Sequence, residues 1–82
     1  MDFTVHATRS GKRIRVEDRI GGGEVFNKFV GPDSKETVSV ASNDGREGDV
    51  DIAAQMRADS PWVIIQSDYR VVADETIEVD DV

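Results

Sequence analysis

Residues 49–65, with the sequence DVDIAAQMRADSPWVII, decide the fold class that this chain predicts. A carboxylate at position 49 or 51 can cap the start of a helix, and Ser60 followed by Pro61 can end it. The apolar residues between these signals recur at helical spacing: Val50, Ala53, Ala54 and Ala58. We therefore predict one short helix over about residues 49–59, which is too short to be stable unless it packs on a sheet.

Residues 62–65, WVII, follow that proline without a polar interruption. A continuous apolar run of this length is typical of a strand that is buried on both faces. The sequence thus predicts that this strand lies at the centre of the core.

The rest of the chain alternates apolar and polar residues with period 2, which predicts half-buried strands. These strands cover about residues 2–8, 13–20, 25–30, 35–41, 69–73 and 75–80. The polar turn at residues 9–12 joins the first two strands into an N-terminal hairpin. We predict an α+β fold in a single domain of residues 1–82, with an antiparallel β-meander sheet of about five or six strands and the helix packed on one face. A small, partly open β-barrel is the alternative.

The composition excludes several classes of function. The chain has 17 acidic and 10 basic residues, a net charge of −7, and no cysteine. Thiol catalysis and disulfides are therefore excluded, and so strong a negative charge disfavours nucleic acids and anionic membranes as partners. With no secretory signal and no long apolar segment, the sequence predicts a cytoplasmic protein. The acid excess indicates a halophilic or GC-rich microbe or its virus, or a surface that presents carboxylates to a basic partner.

The charges are unevenly distributed along the chain. Residues 1–20 hold five basic and three acidic side chains, whereas residues 59–82 hold seven acidic and one basic. Period 2 places Arg13, Arg15 and Arg19 on one face of the second strand, where guanidinium groups can bind carboxylates or phosphates. The opposing interpretation is that acids of the same chain, such as Glu24 or the C-terminal acids, neutralise them.

Two phenylalanines separated by three positions cannot both face the core from one regular strand. Either Phe26 or Phe29 is therefore an exposed anchor for a partner, or their strand is bulged. With Phe26 taken as that anchor, the predicted partner-binding residues are Arg13, Arg15, Arg19, Phe26, Asp74, Glu78, Asp80 and Asp81.

No catalytic, cofactor or metal site is predicted. Residues 43–51 resemble a calcium loop, but aligning Asp44 and Gly45 with the EF-hand pattern puts Val40 at the first ligand position. Residues 21–23, GGG, precede a strand and not a helix, so they predict a hairpin connection and not a phosphate loop. His6 lies on the polar face of the first strand without a nucleophile motif. The carboxylate pairs 49/51 and 78/80 are interpreted as solvated surface.

These observations predict a non-enzymatic module that binds a protein partner or self-associates. The alternative is a small acidic inhibitor or nucleic-acid mimic that presents carboxylates to a basic surface. A third hypothesis is an enzyme or ligand-binding subunit whose site is completed by another chain, with a pocket that converges on His6.

Overall fold

The structure, a computed structural model that describes all residues 1–82, contains seven strands and no helix. The strands are β1 (Asp2–Ala7), β2 (Lys12–Asp18), β3 (Glu24–Val30), β4 (Ser34–Ser39), β5 (Glu47–Gln55), β6 (Val63–Val72) and β7 (Thr76–Val79). The predicted α+β class is therefore wrong, and the protein is all-β. Without a helix, the fold has no helical segment that could cross a membrane.

The strands form two sheets that face each other across one core. The three-stranded sheet has the order β4-β1-β7, in which β1 is antiparallel to β4 and parallel to β7. The four-stranded sheet is antiparallel with the order β3-β2-β5-β6. Inward side chains of both sheets make a core of 15 buried apolar residues. This arrangement is a β-sandwich, and neither the predicted meander nor a barrel describes it.

The predicted N-terminal hairpin is wrong because β1 and β2 belong to different sheets. The connection between them, which includes Arg9 with a φ of 61°, crosses from one sheet to the other. Alternation correctly identifies Phe3 and Val5 of β1 and Ile14 and Val16 of β2 as inward residues. It says nothing about whether two inward faces lie side by side or opposite each other, and here they are opposite.

The predicted helix is replaced by strand β5 and a turn over residues 56–60. Val50, Ile52 and Ala54 of β5 all face the core, so two residues of the predicted helical set, Val50 and Ala54, also fit period 2. Ala53 points to the opposite side of the sheet and is nevertheless buried. That additional buried alanine makes a strand resemble a helix in sequence.

Strand β6 lies at the edge of the four-stranded sheet, not at its centre. Val63 is 40% exposed and Ile64 is 59% exposed, so the predicted doubly buried strand is wrong. β6 also joins two stretches that the sequence separates, because Asp68 adopts a φ of 51° within the strand and the pairing with β5 shifts register twice. Such bulges accommodate an additional residue without ending a strand.

Two charged side chains are buried with the core. Lys12 occupies an inward position of β2 and is completely inaccessible, and Asp18 at the end of β2 is 5% exposed. Each binds backbone groups of other elements, and no buried side-chain nitrogen or oxygen lacks a hydrogen-bond partner.

Candidate protein-interaction surface

The outer side of the four-stranded sheet carries arginines between polar and aromatic neighbours. Arg13 on β2 lies between Phe29 on β3 and Gln55 on β5, whereas Arg15 lies between Asn27 and Ala53. Because residues two apart on a strand share a face, both arginines point away from the core. The sequence prediction of a shared face is confirmed for these two arginines, whereas Arg19 lies beyond the end of β2 at Asp18.

Trp62 extends this surface from the segment before β6. Its ring lies against the Arg15 guanidinium, with 4.5 Å between Cζ and the ring centroid. A cation–π contact of this kind contributes about 0.5–2 kcal/mol, and the contribution increases as water is excluded from the contact. The indole and the guanidinium thus hold each other in place on the outside of the sheet.

A shallow cavity of about 170 Å³ lies at the same end of the sheet. It is lined by Arg13, Phe29, Gln55, Met56, Arg57 and Ala58. Neither Arg13 nor Arg57 forms an ion pair, and Arg13 donates one hydrogen bond, to Asn27 Oδ1 at 3.1 Å. We call Arg13, Arg15, Phe29, Arg57 and Trp62 the basic aromatic face.

Arg19, the third arginine of the predicted set, is neutralised within the chain. Its Nη1 lies 3.0 Å from Asp51 Oδ2, and its Nε lies 3.2 Å from Asp68 Oδ1. The hydrogen bond to Asp51 raises the pKa of Arg19. The backbone N–H of Asp68, followed by Arg19, lowers the pKa of Asp51. The acids that neutralise Arg19 therefore belong to β5 and β6. They are neither Glu24 nor the C-terminal acids.

Phe29, not Phe26, is the exposed phenylalanine of β3. Phe26 is 7% exposed and belongs to the core, so it cannot serve as the predicted anchor. Phe29 is 61% exposed. Its ring tip lies directly over Gly11, where a Cβ atom would collide with it. Gly11 is therefore required for this placement of the Phe29 ring.

The outer side of the three-stranded sheet carries acidic side chains around a polar centre, with one exposed lysine, Lys35, on β4. It includes the predicted residues Asp74, Glu78 and Asp80 together with Asp2 and Asp33, and we call these five the acidic face. Its centre is a row of threonines in register across three strands: Thr37, Thr4 and Thr76. A cavity of about 200 Å³ lies beside this row and is lined by Asp2, Phe3, Thr4, Thr37 and Asp74.

The four C-terminal acids of the predicted set have different roles. Asp81 Oδ1 lies 3.0 Å from the buried Lys12 Nζ, which lowers the pKa of Asp81. Glu78 binds His6, so it is also engaged within the chain. Asp80 accepts a hydrogen bond from Thr8 Oγ1 and meets no cation, and the Asp74 side chain has no partner. Asp74 and Asp80 are therefore the acids available to another molecule.

His6 connects three elements on the acidic face. Its Nε2 lies 2.6 Å from Asp33 Oδ1 in the turn before β4, and its Nδ1 lies 2.5 Å from Glu78 Oε2 on β7. The hydrogen bonds to Asp33 and then Glu78 raise the pKa of His6 above 6.5 despite partial desolvation. The two ring nitrogens point in different directions, so the carboxylates do not converge on one point. The chain has no group of three side chains that could hold a metal ion.

We expect the stability of the fold to depend on His6 between about pH 5 and pH 9. Its pKa is raised on folding, so its contribution is complete below 6.5 and is lost as the pH rises through the native value. The melting temperature of the wild type minus that of His6→Gln should therefore decrease as the pH increases. The aspartates with lowered pKa values, Asp18, Asp51 and Asp81, titrate below 3.8 and so outside this range.

Thermal unfolding at both ends of this pH range measures the difference, and the NMR titration of the His6 ring measures its pKa. Thr37→Gln, on the same face, is the matched control and should show no trend. Lys35 lies opposite His6 on β4 and is present in both proteins, so it affects both alike. A difference between wild type and His6→Gln that stays constant with pH would contradict the prediction.

The other sequence motifs form turns. Residues 21–23 make the connection between β2 and β3, where Gly22 and Gly23 have φ values of 79° and 97°. Residues 43–46 turn into β5, with positive φ at Asp44 and Gly45. Of the carboxylate pair 49/51, Asp49 Oδ1 lies 3.6 Å from Arg70 Nε, and Asp51 binds Arg19. Both carboxylates are therefore paired with arginines.

Sequence reasoning missed Arg57 and Trp62 as members of the basic aromatic face. The sequence pattern predicts a helix at Arg57 and a central strand at Trp62, and neither element forms. The proline before Trp62 was a usable signal, because prolines are typical of strand edges and turns. Comparisons with family models, with curated proteins and with solved structures find no match to this chain.

Proposed function

We propose that the chain is a non-enzymatic interaction module that self-associates through its basic aromatic face. The observation that carries this proposal is the pair of arginines without carboxylate partners, Arg13 and Arg57, beside the exposed ring of Phe29. Aromatic residues and arginine are enriched at the centres of protein interfaces. A guanidinium also binds a carboxylate through two parallel hydrogen bonds, which adds geometric specificity.

The charge of the whole molecule favours a protein partner over a nucleic acid. A phosphate backbone would approach a chain with net charge −7 and would meet Glu17 and Asp51 on the same side of the sheet. Nucleic-acid affinity comes largely from many cations that displace counterions. Two free arginines can satisfy a few carboxylates but not a polyphosphate chain.

A second copy is the occupant that we propose, because this chain itself supplies carboxylates without cations at Asp74 and Asp80. The molecule measures 37 × 21 × 15 Å, so 37 by 21 Å is the upper limit for the area of one broad face. That area is close to the roughly 800 Å² that each partner buries in a standard interface. A whole sheet face of this protein can therefore support a specific complex.

The acid excess fits an environment of high ionic strength. As part of this proposal, the source of the protein is a halophilic or GC-rich microbe or its virus. Salt screens repulsion between copies that each carry a charge of −7. Close contacts inside an interface are screened less than distant charges are. Moderate salt should thus permit association that net repulsion opposes in dilute buffer.

We expect the average mass in sedimentation equilibrium to rise above 9.0 kDa as the protein concentration increases from about 10 µM to about 1 mM at moderate salt. Phe29→Ser and Arg13→Glu should each weaken association by about tenfold or more, because each removes a central contact. Neither change affects a core residue, since both side chains are exposed.

Matched controls separate this surface from a general effect of charge or apolarity. Arg46→Glu makes the same charge change at an exposed arginine without an ion pair, and Ile20→Ser removes an exposed apolar side chain in the β2–β3 turn. Both should associate like the wild type. If the wild type stays at 9.0 kDa throughout the range, the proposed function is rejected.

The acidic-inhibitor alternative has less support. It would use Asp74, Glu78, Asp80 and Asp81 as one surface, but Glu78 binds His6 and Asp81 binds the buried Lys12. Neutralising all four would remove contacts that hold β7 and the C-terminal residues in place. Loss of partner binding in such a variant would then report on folding as well as on the surface.

A further inference from the structure

We propose that copies associate head to tail, with the basic aromatic face of one copy on the acidic face of the next. This inference rests on the proposed function and identifies the surface that the second copy presents. The two faces lie on opposite outer sides of the sandwich, because they belong to its two different sheets. They therefore cannot meet within one chain, although they can meet between chains.

Local charge makes the two faces complementary. The basic aromatic face has Arg13 and Arg57 without partners, and the acidic face has Asp74 and Asp80 without cations. Asp2 is engaged only by a neutral group, the hydroxyl of Ser39 at 2.7 Å. A carboxylate and a guanidinium that are each free in the monomer can pair without breaking an existing ion pair.

The acidic face also offers an uncharged surface for the aromatic rings. The threonine row at the centre of the acidic face is short and uncharged, so the rings of Phe29 and Trp62 can lie over it without burying a charge. The cavity of about 200 Å³ beside the row has Asp2 and Asp74 in its wall, where an arginine head group would be received. Apolar and charged contacts would thus form together.

A two-fold symmetric dimer is disfavoured by the same charges. Symmetry of that kind places one surface patch against its own copy. The basic aromatic face, whose five residues include three arginines and no acid, would then face a second set of three arginines, and the acidic face would face a second set of carboxylates. Like charges in contact cost several kcal/mol and suppress such pairings. The head-to-tail arrangement avoids both.

Edge pairing through β6, one of four edge strands, is another route to a dimer, and its geometry is poor. The strand has two register shifts and a residue with positive φ, Asp68, in its middle. Bulges and charged residues on an edge strand prevent the continuous ladder that edge pairing needs. Strand β6 is therefore a poorer surface for association than the broad faces.

An arrangement with docking faces on opposite sides does not close after two copies. Each complex exposes an unused basic aromatic face at one end and an unused acidic face at the other, so association continues as a stack. The wild type should form species larger than a dimer as its concentration rises.

Two variants that each retain one face test the arrangement. Arg13→Glu with Arg57→Glu removes the basic aromatic face, and both side chains are exposed. Asp74→Asn, Thr76→Lys and Asp80→Asn together remove the acidic face. Asparagine tolerates the positive φ at position 74, and its side-chain oxygen at position 80 can still accept from Thr8. Circular dichroism and thermal unfolding verify that each variant is folded.

Each variant alone should sediment at 9.0 kDa, with association at least tenfold weaker than that of the wild type. An equimolar mixture should form a 1:1 heterodimer and nothing larger, because one intact face of each kind remains. If the variant without the acidic face still dimerises and the mixture forms no heterodimer, the head-to-tail arrangement is wrong while self-association survives. A wild type that is monomeric at every concentration overturns both.

Discussion

Replacing Asp18 with alanine should lower the free energy of unfolding by about 2–4 kcal/mol, because three backbone N–H groups lose their acceptor. Asp18 Oδ1 accepts from Ile20 at 3.0 Å and from Gly21 at 2.9 Å, and its Oδ2 accepts from Ala41 at 2.8 Å. The carboxylate thus joins the β2–β3 turn to the segment after β4. Alanine supplies no acceptor, and these partly buried donors are poorly placed to reach water.

This loss is a large fraction of the total stability that a chain of 82 residues has, about 4–12 kcal/mol. In thermal unfolding it corresponds to a decrease of about 10–25 °C in melting temperature for a domain of this size. Asp18→Asn should fall between wild type and alanine, since it retains one oxygen but turns a donor toward one of the three N–H groups. Asp59→Ala, at an exposed aspartate without partners, is the control and should change stability by less than about 0.5 kcal/mol.

The pH dependence of the same comparison identifies the charged form as the stabilising one. Burial alone would raise the pKa of Asp18, but the N–H groups of Ala41, Gly21 and Ile20 outweigh it and hold the pKa below 3.8. The advantage of wild type over Asp18→Asn is therefore complete above 3.8 and disappears as the pH falls through the lowered native value. An advantage that persists unchanged in strong acid would show that the charge has no role.

The strands were largely predictable from the sequence, whereas their partners were not. Alternation of apolar and polar residues identified β1 to β4 and β7 within a few positions, because half-buried strands expose every second side chain to water. Strand pairing depends on which strands lie side by side in one sheet and which lie opposite each other across the core. The connections between the strands determine that choice. The turn at residues 9–12 looks like a hairpin turn in sequence and acts as a crossing between sheets.

Residues 49–59 show why local pattern fails where burial is two-sided. Val50, Ile52 and Ala54 face the core, and Ala53 is covered on the other side of the sheet. The spacing of these four residues fits both a helix face and a strand with one additional buried position. Intrinsic helix preference favoured the first, and tertiary packing selected the second.

The candidate surface was predictable in part. Arg13 and Arg15 share a face because β2 is a regular strand, and period 2 is enough to establish that. Phe29 was one of two choices that only the packing of β3 could separate. Arg57 and Trp62 lie in the turn at residues 56–60 and in the segment before β6, so no periodicity argument brings them to Arg13 and Arg15.

Replacing Lys12 with methionine should lower the free energy of unfolding by about 2–4 kcal/mol, although the two side chains have similar size and shape. Lys12 Nζ donates to Thr8 O at 2.9 Å and to Val79 O at 2.8 Å, and it lies 3.0 Å from Asp81 Oδ1. Its three N–H donors therefore meet three acceptors. Methionine keeps the apolar packing of the stem and removes all three contacts.

The positions at which hydrogen exchange accelerates distinguish the loss of the Lys12 contacts from a general packing defect. Lys12 is on the four-stranded sheet, and it binds Val79 and Asp81 at the end of the three-stranded sheet, so it holds the C-terminal residues between the two layers. In Lys12→Met, hydrogen exchange should accelerate first at the Thr8 amide, which donates to Val79 O at 3.1 Å. Lys35→Met makes the same change at an exposed lysine without an ion pair and should affect neither stability nor exchange there. Because a buried amine that lacks acceptors is strongly unfavourable, the sequence position of Lys12, inward on β2, requires the C-terminal segment to fold over it. Uniform acceleration of exchange through both sheets would contradict this local role.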